Sequence, residues 1–311
     1  MKPHLPKVSV IMNCFNGEKY LREAIDSVYA QTYKDWEIVL WDDASTDKTP
    51  EIAKSYDNKL RYFRGEKAIG LGQARNWAIE KASGDYIAFL DQDDIWMPQK
   101  LEKQIPLFED PEVGIVFSDS ILFNENGESQ RMYSHKRYYT GNCFSKLLTD
   151  YFLDIETVVI RRSVLDEGKV WFEPSFSLSE EADLFTRIAY KWKLAMVNEP
   201  LAKWRVHADS WTWKKNYLAA EERSAALLKY HEIFPDFANR FSKEIGIFEA
   251  QTAISKAKNL WKAGKSQAAR RSLTSYIFRN KKAFILFFMT FLPEKTLSPI
   301  LSKFRNTISP Y

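Results

Sequence analysis

Cysteine is scarce in this 311-residue sequence: Cys14 and Cys143 stand far apart in dissimilar settings. Two thiols so placed exclude a disulfide framework and a cysteine metal site, and they fit a reducing compartment. No apolar run reaches the roughly 20 residues that span a bilayer. The stretch 283–292 is apolar but ends at Pro293. Residues before Val8 form no apolar signal segment, so the chain is expected to be cytoplasmic and unprocessed. Internal repeats and low-complexity linkers are missing, which removes solenoid architectures. The loop after the first apolar run, 13–17, reads Asn-Cys-Phe-Asn-Gly, with one Gly and no Arg. A nicotinamide dehydrogenase would open that turn with a glycine fingerprint, and a sugar-nucleotide pyrophosphorylase with a Gly-rich basic loop.

What is present is a large apolar share, 45%, with aromatics at 15%, including 10 Trp and 21 Phe. That suffices for a buried core with a second element attached, and aromatics in such number suit surfaces that stack on sugars or meet membranes. The net charge of +4 is uneven. From Lys265 onward nine Lys or Arg face the single acid Glu294. Phe284, Phe287, Phe288 and Phe291 lie in this basic part, a combination that suggests a helix lying on an anionic membrane surface at the cytoplasmic face. The competing reading is a tail helix packed on the rest of the protein.

The first half alternates short β-branched runs with helical periodicity. Strands are expected at 8–13, 36–41, 60–63 and 86–90, and helices at 18–31, from about 50, and at 72–82. Beyond Pro98 come a helix to 108, a strand at 113–118, a hairpin through 124–127, a helix at 142–149, a strand at 157–160 and a helix at 179–191, then an apolar stretch to Val197. Strands separated by helices imply an open, mostly parallel α/β sheet with helices on both faces. Ligands of such sheets sit beyond the carboxyl ends of the strands, where the polar loops gather. From Asn216 the pattern is purely helical, so the expected division is 1–215 and a helical, basic extension 216–311.

Three carboxylates, Asp91, Asp93 and Asp94, fall within four positions at a strand end. Like charges so close repel, and oxygen-only ligands favour Mg²⁺ or Mn²⁺, which in turn prefers a diphosphate to complete its shell. The alternative is a solvated acidic turn that caps the next helix. Asp42, Asp43 and Asp47 follow the second strand in the same way, with helix capping again the alternative. Arg75 stands at the start of a helix, where a cation opposes the macrodipole and an anion such as phosphate would explain it. Glu180, Glu181 and Asp183 open another helix, with Asp183 and Arg187 spaced as an i, i+4 pair. Arg205 and His207 share one side of an extended segment.

Taken in order, these pieces resemble the family 2 glycosyltransferases of the GT-A fold. The resemblance runs from Val8 to about Ser210. It rests on the opening Val-Ser-Val-Ile-Met-Asn, the turn from Asp42 to Asp47, Gly70 with Ala74-Arg75-Asn76, and Asp91-x-Asp93-Asp94 with Trp96 and Pro98. The Glu180-Glu181 helix and Arg205-x-His207 complete it.

The resemblance implies a nucleotide-sugar donor, probed by the set Asn13, Phe15, Asn16, Glu18, Asp42, Asp43, Arg75, Asp91 and Gln92. Asp42 or Asp43 would meet base or ribose, and Arg75 base or diphosphate. Asp91 and Asp93 would hold ribose and metal, with His207 adding a contact to metal or diphosphate. It also implies a catalytic base at Glu181, where the family usually has Asp. The expected activity is inverting transfer, from a donor that is UDP-linked by resemblance, to a carbohydrate or lipid-linked glycan, with no nucleic-acid partner. Alternatives are a catalytically silent nucleotide-sugar or glycan-binding partner and, further off, the pyrophosphorylase.

Overall fold

A computed structural model describes residues 7–134, 136–168, 171–207, 210, 214–293 and 296. Strand β1 (Val8–Cys14) is buried along its whole length. Val8, Val10 and Met12 join one apolar cluster and Ile11 the other, so the strand is covered on both faces. Helix α1 (Leu21–Tyr29) lays Leu21, Ala24, Ile25 and Val28 on the first cluster, the i, i+3, i+4, i+7 stripe of an amphipathic helix. Then follow β2 (Trp36–Asp42), α2 (Thr49–Lys54), β3 (Leu60–Arg64), α3 (Leu71–Lys81) and β4 (Tyr86–Phe89). After them come β5 (Ile95–Trp96), α4 (Lys100–Gln104), β6 (Val113–Phe123), β7 (Ser129–Arg131) and α5 (Phe144–Thr149). The last elements of this half are β8 (Val159–Arg161), α6 (Arg162–Gly168), α7 (Glu180–Ala189) and β9 (Lys193–Arg205).

The strands form one sheet in the order β3-β2-β1-β4-β8-β6-β9-β5, with β7 on β6. β1, β2, β3 and β4 pair in parallel, as do β6 and β9. Antiparallel pairs enter with β8, β7 and β5. This is the mixed, mostly parallel α/β fold expected.

Three elements differ in length from the sequence expectation, each for a local reason. The helix after Pro98 is cut to Lys100–Gln104 and continues as the 3-10 turn Ile105–Glu109, because Pro106 has no N–H for an α-helical bond. β6 runs on to Phe123 through Asp119 and Ser120, a pair that reads as a turn yet is fully buried. Asp119 is satisfied there by the amides of Ser120 and Tyr133 and by Arg131. β9 passes its apolar end at Val197 and continues to Arg205, because the ladder steps from Ser118↔Val197 to Asp119↔Pro200. That bulge leaves Asn198 and Glu199 unpaired and lets Pro200 sit within a strand.

By internal contacts the chain divides into two units, Met1–Leu147 with Tyr151–His207, and Leu148–Asp150 with Ala208–Tyr311. The second unit contains the helices Ala219–Ile233, Phe237–Arg240, Ser242–Lys262, Ser266–Leu273 and Lys281–Met289. Ile254, Ala257, Trp261, Ala269, Leu273, Ala283 and Leu286 close a core among the last three. Among the described residues no helix is long and apolar enough to cross a membrane. Cys14 and Cys143 are buried free thiols.

Candidate active site

Two loops at the carboxyl ends of β1 and β2 are laced together by side chains. Asn16 accepts from the Thr46 amide at 2.8 Å and Glu18 from the Lys48 amide at 3.1 Å. Asp47 accepts from the amides of Glu18 and Thr49, and Ser45 takes the Asn16 amide. Asn16 and Ala44 both lie in the left-handed region, at φ 51° and 65°, a costly choice for residues with a Cβ and one that concentrates at functional sites. Asp42 is fully buried, with Oδ1 on the Ser45 amide and Oδ2 on the Tyr62 hydroxyl. Asp43 is half-buried; its Oδ2 accepts from the Ile69 amide, while its buried Oδ1 has no hydrogen-bond partner. Burial pushes the Asp43 carboxyl above its ordinary range. The buried Asn13 also leaves its side-chain nitrogen unpaired, and Phe15, two residues on, stands exposed. Of the two aspartates left open by the sequence, Asp42 has both oxygens bonded, whereas Asp43 has one oxygen outside any hydrogen bond of ordinary geometry, with the Trp41 indole as a nearby donor.

The Asp-rich loop is built by the junction of β5 with the end of β9. Pairing of Ile95 with Lys203 and Trp96 with Ala202 carries Arg205 and His207 up to it. Asp93 Oδ2 and His207 Nε2 meet at 2.8 Å across 114 residues of sequence. Arg205 donates its amide to Asp94 and its Nε to the Asp93 carbonyl, with its guanidinium 4.5 Å from the ring centres of Tyr20 and Phe123. Gln92 turns back to the first loop, where Oε1 accepts the Phe15 amide at 3.0 Å. The side chain is thus committed to holding the loop.

Arg75 has protein partners that its place at a helix start did not reveal: the buried guanidinium bonds Asp91 at 2.9 Å and also Glu180. Burial alone would lower its pKa, but the charges of Asp91 and Glu180 outweigh that and hold it above the usual value. Asn76, one residue on, exchanges two bonds with the Phe172 backbone and so fixes α3 to the segment ahead of α7. Glu181 follows Glu180 at the first turn of α7, and Asp183 is occupied by Arg187 as the spacing implied. Burial and the neighbouring Glu180 push Glu181 well above the ordinary carboxylate range, against the pull of Arg75.

Sequence reasoning named Asp94 but missed Glu156 and Lys100, which lie buried with it beneath the loop. Asp94 and Glu156 are buried carboxyls, and with Asp91 each can bring an oxygen within 4.8 Å of the others. Burial, then neighbouring carboxylates, raises both Asp94 and Glu156. Lys100, also buried, bonds Gln104 and the Thr157 carbonyl and lies 4.4 Å from the Trp96 ring; burial lowers its pKa. The available signal was a Glu inside the apolar run 155–160. Asp91 thus gathers with Asp94 and Glu156, while Asp93 meets the His207 imidazole; oxygen ligands suit a hard divalent ion, and an imidazole nitrogen among them suits Mn²⁺ better than Mg²⁺.

Among proteins of known sequence, an uncharacterized glycosyltransferase of Methanocaldococcus jannaschii is 29% identical over 242 residues, which cover 76% of this chain and 81% of that protein. Among solved structures, residues 1–349 of S. aureus TarS, in complex with UDP-GlcNAc, align with a TM-score of 0.58 at 20% identity, covering 92% and 89% of the two chains. The mannosyltransferase PcManGT of Pyrobaculum calidifontis, in complex with GDP-Man and Mn²⁺, aligns at 0.64 and 19% identity, covering 91% and 79%. These structural likenesses bear on the fold, which is the GT-A arrangement. The model of glycosyl transferase family 2 matches residues 9–168, from β1 through the acidic turns to the end of α6, and the chain belongs to that family.

Proposed function

We propose that the protein transfers a sugar from a UDP-linked donor to a hydroxyl of a carbohydrate or lipid-linked glycan, with inversion at the anomeric carbon. The observation that carries this reading is the Arg75 bridge. One buried cation ties Asp91, at the end of β4, to the helix start that bears Glu181. Donor and acceptor chemistry are thereby brought to one point of the sheet edge.

Glu181 takes the proton of the acceptor hydroxyl while that oxygen attacks the anomeric carbon and the bond to the diphosphate breaks. Attack from the face opposite the diphosphate inverts the centre, and no covalent intermediate is formed. The raised pKa of Glu181 makes it a stronger base than an exposed carboxylate. Arg75, always cationic, meets the charge that grows on the departing diphosphate. Asp43 accepts from the base with its unpaired Oδ1, Asn13 donates to it, and Phe15 covers its ring. Asn16, Glu18 and Gln92 serve the donor by fixing the loop. Asp91 and Asp93 with His207 would hold Mn²⁺ or Mg²⁺, which when bound supplies positive charge to the diphosphate. UDP-GlcNAc in the TarS complex supports the choice of nucleotide, and Mn²⁺ in the PcManGT complex supports the metal.

Single-turnover transfer by Glu181→Gln tests the reading. The rate should fall by about 10² to 10⁴ with donor affinity unchanged, and Glu181→Asp should keep more activity than Gln. Near-normal transfer by Glu181→Gln would refute the assignment.

A further inference from the structure

We propose that the outer face of the helix Lys281–Met289 is a docking surface for an anionic lipid bilayer, on which the helix lies parallel to the membrane plane. The helix buries Ala283 and Leu286 in the core of its unit. At 100° per residue the opposite face gathers Lys281, Phe284, Ile285 and Phe288, and the chain continues into exposed Phe291 and Leu292. Phe288 is 55% exposed, Phe291 60%, and Phe278, just ahead of the helix, 90%. Water is a poor neighbour for so much contiguous apolar surface, and such patches mark interaction sites.

Charge identifies the partner. Between residues 250 and 293 the sequence holds no Asp or Glu. Lys265, Arg271, Arg279, Lys281 and Lys282 are all exposed. Lys281 and Lys282 occupy the first turn behind the Asn280 cap, where the helix macrodipole repels cations. A negative surface removes that penalty, whereas a second copy of this chain would set like charges against each other. Residues 297–311 add Lys303 and Arg305 and no acid, so they raise the positive charge instead of complementing it. Rings that enter the headgroup boundary, flanked by bases that meet lipid phosphates, match an interfacial helix.

The test is vesicle flotation of the whole 311-residue chain, independent of the donor site. The protein should float with vesicles containing phosphatidylglycerol and stay behind with phosphatidylcholine alone. About 1 M salt, where the screening length is about 3 Å, should release it. Replacing both lysines by Gln (Lys281→Gln with Lys282→Gln) should lower partitioning about thirty-fold. Phe284→Ser with Phe288→Ser should lower it at least about ten-fold. Both pairs are surface changes, and unaltered thermal melts and UDP affinity would show that the fold and the donor site persist. The proposal is overturned by a wild type that ignores anionic vesicles, by variants that float equally well, or by a concentration-dependent dimer that the Phe variants abolish. Flotation that appears only after residues 297–311 are deleted would give the face to the chain's own terminus and overturn it too. Failure of the wild type to bind UDP would count against the donor-site reading and leave this one standing.

Discussion

Asp42 and Asp43 are adjacent in sequence and opposite in employment. Asp42 spends both oxygens inside the protein, so Asp42→Asn should cost about 1–3 kcal/mol of stability by giving an acceptor a donor's atoms at a buried site. Asp43→Asn should leave the melting temperature nearly unchanged and weaken UDP binding, both readable from one set of thermal and calorimetric titrations. Equal effects of the two would remove Asp43 from the nucleotide. Glu181 carries a pH prediction whose sign follows from its role. The base must be ionised, its pKa is raised, and so transfer should fail as pH drops through a value above the roughly 4.3 of a free Glu. That acid limb should vanish from the residual rate of Glu181→Gln. The residues with an evident job in the sequence were those whose charge recurs at strand ends. Glu156 and Lys100 escaped because periodicity assigns charged residues to solvent, and only tertiary packing reveals that these two lie inside.

Helix α3 reaches the segment before α7 by an approach that only glycine allows. A Cβ on Gly72 would stand 2.3 Å from the carbonyl oxygen of Glu173 and 3.2 Å from that of Phe176. Backbone atoms cannot step aside as a flexible side chain can. Gly72→Ala should therefore destabilise by about 1–3 kcal/mol and, by tilting the helix that carries Arg75, weaken UDP binding more than an equally destabilising core change elsewhere. If donor affinity tracks stability alone, α3 has no positioning role. The same scale separates what the sequence made readable from what it hid. β1 to β4 and the helices between them follow hydrophobic period and turn chemistry, and their positions agree within a few residues. β5 is two residues long, too short for any period, and β9 is disguised by Pro200 at a bulge. Their pairing is what joins His207 to Asp93, so the part of the site that was hardest to read depends on the least periodic strands.

At the scale of the whole molecule, donor binding should register as stability. A ligand at about a hundred times its Kd raises the unfolding free energy by about 2.7 kcal/mol. UDP with Mn²⁺ should raise the melting temperature, UDP with chelator much less, and Asp93→Asn should abolish the difference between the two. A shift indifferent to metal would leave Asp93 and His207 as a structural pair.

The contact between Asp93 and His207 has a further consequence, for how the protein is made. During synthesis Asp93 leaves the ribosome 114 residues before its partner. At about 5–20 residues per second, that is an interval of very roughly ten seconds. The parallel strands β1 to β4 can form in that time, but the acidic loop they carry must wait for β9. A nascent chain stalled before Arg205 would hold Asp91, Asp93 and Asp94 with neither the imidazole nor the Arg205 amide to meet them. If the loop holds the donor as proposed, nucleotide would not serve as an early folding template, and the chain would become competent to bind it only when the far edge of the sheet has closed.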